Sequence, residues 1–165
     1  MKNYSLFSCI ILSVLILGFS SSCSKDEENK ACANFPVLGG EITVNGSVQK
    51  LSIAQFGATG DTYIFQLASV SSDCNKQNIL SFNIDLPTGA KLGGTYQIKD
   101  DFNAGENIAT GTFSTQQLSP VTQSFFDLES GTVKITELGV KKYTIDVNAT
   151  DSVGGKVTLL LTHQF

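Results

Sequence analysis
The chain is predicted to be all-β: a single antiparallel β-sandwich or barrel of about eight to nine strands. Three observations predict it. From Phe35 onward, apolar and polar residues alternate at a period of two, as half-buried strands require. Turn residues interrupt these runs roughly every 8–12 positions, the spacing of small all-β folds. No segment carries a sustained helical period.

The elements follow in order. Ile42-Thr43-Val44 and Val48 flank Asn45-Gly46, a strong hairpin signal, giving strands over 41–44 and 48–56. Ala58-Thr59-Gly60-Asp61 turns the chain into 62–70, where Tyr63, Phe65 and Leu67 share a face. In 79–86, Leu80, Phe82, Ile84 and Leu86 face one side and Ser81, Asn83 and Asp85 the other; Pro87, which lacks an amide donor, ends the strand. Strands over 94–99 and 107–115 follow Leu92-Gly93-Gly94 and the loop from Asp100. Residues 116–128 form the least regular connection, with Ser124–Leu128 readable as a short strand or one helical turn. The remaining strands, 130–137, 142–150 and 156–164, are separated by Glu137-Leu138-Gly139 and Val153-Gly154-Gly155. In the last, Val157, Leu159, Leu161, His163 and Phe165 share a face, so His163 is expected to point inward or to sit at the end of the core.

The N-terminus carries a different message. Lys2 is followed by the apolar run Cys9–Leu17, the small residues Gly18–Ser22, then Cys23 and the charged stretch Ser24–Glu28. The apolar run is short for a stable span, which needs about 20 residues, but suits an export signal. Residues 1–22 read as a bacterial lipoprotein signal peptide, 23–34 as a lipidated cysteine with a flexible acidic tether, and 35–165 as the β-domain. The thiol of Cys23 is the atom to be lipidated, and two acyl chains on it meet the condition for stable anchoring. A plain secretory signal cut near Ser22 and an uncleaved anchor helix are the alternatives.

Composition narrows the function. The formal net charge is −4, and all eleven basic residues are lysines. Arginine is the preferred fork for phosphates and base edges. Its absence with an acidic balance argues against nucleic-acid partners. Tryptophan is also absent, which leaves Tyr63, Tyr96 and Tyr143 for any sugar-stacking platform. Of four cysteines, Cys9 lies in the signal and Cys23 is the lipid site, which leaves Cys32 and Cys74 as a pair in an oxidising compartment. A Cys32–Cys74 disulfide would close a loop worth about 4 kcal/mol in the chain-entropy model. Two free thiols, or metal ligands, are the competing readings.

Little is available for catalysis. His163 is the single histidine, and no nucleophile elbow, phosphate loop, zinc motif or catalytic carboxylate pair is present. The chain is therefore expected to be a non-enzyme without a cofactor. The loop Asp100–Asn107 is oxygen-rich, and Asp101, Asn103 and Glu106 form a weak calcium candidate. Turn chemistry alone accounts for the same residues.

The apolar run ending in Ser-Ser-Cys23, followed by Ser-Lys and acidic residues, resembles the lipoproteins of the Bacteroidota. It departs from the usual lipoprotein box at Ser20, where a leucine is the common residue. Gly131-Thr132-Val133, Tyr143-Thr144-Ile145 and Gly155-Lys156-Val157-Thr158-Leu159 are similar to the C-terminal half of uncharacterised Bacteroidota lipoprotein β-domains. This second likeness spans about a quarter of the chain and implies a fold type without chemistry. The first implies an outer-membrane address, with the acidic tether directing display at the cell surface. Asp151-Ser152-Val153 resembles the O-glycosylation sequon of such proteins, with Ser152 as acceptor. The expected function is a surface-anchored, monomeric, non-catalytic binding or interaction module. Its partners are the membrane, through the lipid, and a glycan or another envelope protein. The alternative is a lipocalin-like barrel carrying a small apolar ligand.

Overall fold
The computed structural model describes residues 35–100 and 105–165. These form β1 (Glu41–Val44), β2 (Ser47–Lys50), β3 (Ile53–Thr59), β4 (Thr62–Val70), β5 (Lys76–Asp85), β6 (Gly94–Ile98), β7 (Ile108–Leu118), β8 (Val121–Gly139), β9 (Lys142–Asp151) and β10 (Lys156–Gln164). The signal, the tether, Cys23, Cys32, Asp101 and Asn103 lie outside the described residues.

All ten strands belong to one sheet, in the order β2-β1-β10-β9-β8-β6-β7-β5-β4-β3, with a further β7–β8 pairing. The sheet is open. Its two edge strands, β2 and β3, are consecutive in the chain but are not paired with each other. The β1–β2 hairpin closes as its sequence demands: Asn45 and Gly46 both take positive φ, 48° and 84°. That pair of conformations lets a two-residue loop match the strand twist.

The longest strand organises the rest. The first half of β8 pairs with β7, from Val121↔Leu118 to Asp127↔Thr112. Its register then shifts between Leu128 and Ser130. The second half pairs with β9 on one side and with β6 on the other. Gly131 sits just past the shift at φ 120°, where an added Cβ would stand 2.0 Å from the Asn148 carbonyl oxygen. A bulge increases twist and bends the strand that carries it. Here it lets one strand leave β7 and join β9, and β6 fills the gap that opens.

Both halves of the sheet contribute to one core. Ile42, Val133, Ile145, Val147, Val157 and Leu161 on one side meet Phe65, Leu67, Leu80, Phe82 and Ile84 on the other, each 1% exposed or less. Phe65 stacks on Phe82 at 5.0 Å and meets Tyr143 of β9 edge-on at 6.4 Å. The inward residues are those that the alternation assigns to one face. His163 is half-buried, with its ring edge-on to Phe165 at 4.9 Å, at the end of the core.

Four expectations need correction. The described residues form ten strands, because the run 48–56 breaks at Leu51 and Ser52. Leu51 is fully buried and bonds to Gly40, while Ser52 donates to Ala68, so the chain changes ladder there. Residues 116–128 are strand throughout except for the Ser119-Pro120 turn, since the cross-strand bonds to β7 outweigh a weak local pattern. The sheet does not close into a barrel. It is not wholly antiparallel either: β6 runs parallel to β7 over Gln97↔Ile108 and Ile98↔Ala109.

Candidate functional site
At the end of the sheet that carries the β1–β2 and β9–β10 turns, a cleft of ≈ 300 Å³ opens between the two halves. Val44, Asn45, Ser47 and Gln49 approach it from the β1–β2 hairpin; Lys76 and Asn78 from β5; Phe113 and Thr115 from β7; Phe126 from β8; Asp151 from the end of β9; and Val153 from the β9–β10 turn. The volume is at the small end of the range of about 300–1,000 Å³ for ligand sites.

A side-chain ladder forms one wall. Gln49 Oε1 accepts from Ser69 Oγ at 2.6 Å and from Asn78 Nδ2 at 2.5 Å. Asn78 Oδ1 in turn accepts from Thr115 Oγ1 at 2.9 Å. Four strands are thus tied by polar groups on what is elsewhere the apolar face. Asn78 is 2% exposed and Ser69 1%. Such burial is tolerable only because the groups satisfy one another. Gln49 lines the cleft, and among the described residues no hydrogen bond uses its Nε2, which leaves that amide an uncommitted donor.

The opposite wall is the β9–β10 turn. Asp151 is buried, and its Oδ1 accepts from the amides of Val153 at 3.0 Å and Gly155 at 2.7 Å. Its carboxylate is bound to its own turn, and a Cβ at Gly155 would stand 2.5 Å from Oδ2. Asn45 likewise spends its Oδ1 on the Lys156 amide at 2.8 Å.

The residues singled out in the sequence fall elsewhere. Ser152 is exposed in the β9–β10 turn next to the cleft and offers an accessible hydroxyl. Its amide donates to the Asp127 carbonyl. Glu106 is exposed on the bend before β7, with Asp101 and Asn103 outside the described residues. Among the described residues, no three His, Cys, Asp or Glu side chains gather as metal ligands. Cys74 is disulfide-bonded and lies in the β4–β5 turn at φ 53°. Beside it, the Ser71 hydroxyl and the Asn75 amide hold the exposed Asp73 carboxyl below its usual range. At the far end of the sheet, burial pushes the Tyr96 and Tyr143 hydroxyls above the ordinary tyrosine range. Tyr143 there joins Phe56, Phe65 and Phe165 in an aromatic cluster.

Sequence reasoning missed the cleft, although one signal for it was present. Asn78 stands at a core register, two places before Leu80, Phe82 and Ile84. A polar residue at an apolar position marks either a structural network or a site. No protein-family model, curated protein or solved structure matches the chain.

Proposed function
We propose that the chain is a lipid-anchored envelope protein whose β-domain is a non-catalytic binding module for a small, hydroxyl-rich ligand of the glycan class. The cleft carries this reading. An amide and hydroxyl ladder with an uncommitted donor lies beside the rings of Phe113 and Phe126. Sugars present hydroxyls at the rim and C–H groups on the ring face, and match such a mixture of polar groups and aromatic surface. The domain is read as a sandwich whose two layers are the halves of the one open sheet, with β8 passing between them. Stacked rings fill the core, which supports a surface site over the carriage of an apolar ligand in an interior cavity.

The anchor is assigned to Cys23 on the pattern of its flanking residues, with the outer-membrane surface as the address. Replacing Cys23 with Ala is expected to move the protein out of the membrane fraction; retention there would refute the anchor. For the module, an oligosaccharide array is expected to show selective binding that Phe126→Ala weakens by about tenfold, while circular dichroism and melting change little. Phe126 is only partly buried, so its removal leaves the core standing. Binding unaffected by that change would move the site away from the cleft.

A further inference from the structure
Resting on the binding-module reading, we infer that the ligand carries a carboxylate, and that the cleft takes a uronate-bearing oligosaccharide. The balance of donors and acceptors points there. Among the described residues, Asp151 is the only carboxylate lining the cleft; its Oδ1 is occupied by two backbone amides of its own turn, and its Oδ2 lies against Gly155. Lys76 is the only cation of the described residues that lines it. Among the described residues, the single ion pair is Lys50–Glu41, so the Lys76 ammonium has no carboxylate of those residues within salt-bridge distance. Gln49 Nε2 and Asn45 Nδ2 add donor groups on the same walls that no hydrogen bond among the described residues consumes. The cleft therefore offers an ammonium and two amide donors, with Asp151 Oδ2 and the Ser47 hydroxyl as its uncommitted acceptors.

An acceptor-rich anion fits that inventory, and hydrogen bonds to a charged group are the strong ones. A uronate meets the cation and the aromatic ring at once. Its carboxylate faces Lys76, and its ring face lies against Phe126. A neutral sugar leaves the ammonium without an anion. A simple carboxylic acid leaves the aromatic wall unused.

Calorimetry on the detergent-purified full chain tests this with trigalacturonate and with the neutral trimer of galactose. Trigalacturonate is expected to bind about tenfold to hundredfold tighter than the neutral trimer. The difference should shrink as NaCl is raised, as screening requires for a partly exposed pair. Lys76→Met should abolish the preference, and Lys76→Arg should retain most of it. Lys76 is exposed, so neither variant threatens the fold. Equal binding of both trimers, or a preference that survives Lys76→Met, overturns the uronate assignment and leaves the binding module standing. If neither trimer binds while the array still reports a glycan whose binding depends on Phe126, the assignment is again overturned. An array without any glycan overturns the module reading itself.

Discussion
Single residues in this domain are placed by alternation, and Gln66 shows where alternation is not enough. It lies on β4 between Phe65 and Leu67, so its side chain points away from the core, yet it is only 7% exposed. Its neighbours on that face, Ala68, Ile79 and Ser114, are 3%, 5% and 4% exposed, and neither Ala68 nor Ile79 belongs to the core cluster. Gln66 Oε1 is buried there and, among the described residues, has no hydrogen-bond partner. A buried unsatisfied carbonyl costs about 1–3 kcal/mol. Gln66→Leu keeps the shape and removes that oxygen, so it is expected to stabilise the domain by about 1 kcal/mol. A thermal melt should show the midpoint rising by a few degrees; a fall would mean that the amide makes a bond in solution. The same logic explains why Asn78, equally buried, is tolerated: its amide donates to Gln49 and accepts from Thr115.

Among the elements, β8 decides the topology. A strand of 19 residues is far beyond the usual length of about 5–6. It persists because it serves two ladders in turn and bends between them. The bend is concentrated at the Leu128/Ser130 register shift and at Gly131. Gly131→Ala places a methyl group 2.0 Å from the Asn148 carbonyl oxygen at φ 120°, a conformation that other residues rarely adopt. Strain and overpacking together are expected to cost about 3 kcal/mol. Denaturant melting should show that loss in the midpoint. Gly139→Ala, at a position with open space around it, serves as the control and should be close to neutral. Equal effects at the two sites would show that the bend does not depend on this glycine.

At the scale of the whole molecule, one core holds the open sheet together. The core spans both halves, so the domain does not depend on any one cross-link. Cys74 is disulfide-bonded at the β4–β5 turn. With Cys32 as its partner, the bridge would join the tether to the body of the domain. Alkylation of the purified protein without reductant is expected to add no label at either cysteine. Reduction should lower the melting temperature by the equivalent of up to about 4 kcal/mol and leave the β-type circular dichroism intact. Label on both residues before reduction would rule the bridge out.

The class of fold, the faces of the strands and most of the turns are legible in the chain before it folds. These are local properties, written in a period of two and in residues such as Asn45-Gly46 whose backbone preferences need no partner. Tyr143, Ile145, Val147 and Ala149 could be assigned to the core because alternation leaves them one face. Long-range packing was needed to establish which strands are neighbours, that residues 116–128 form a hairpin arm, and that the sheet stays open. Pairing is set by contacts between residues distant in sequence, and a bulge in the middle of β8 leaves only a glycine as its trace. The cleft is non-local in the same way: Gln49, Lys76, Asn78, Thr115, Phe126 and Asp151 come from five separate parts of the chain. Each reads alone as an ordinary strand or turn residue, and only the fold brings them to one site.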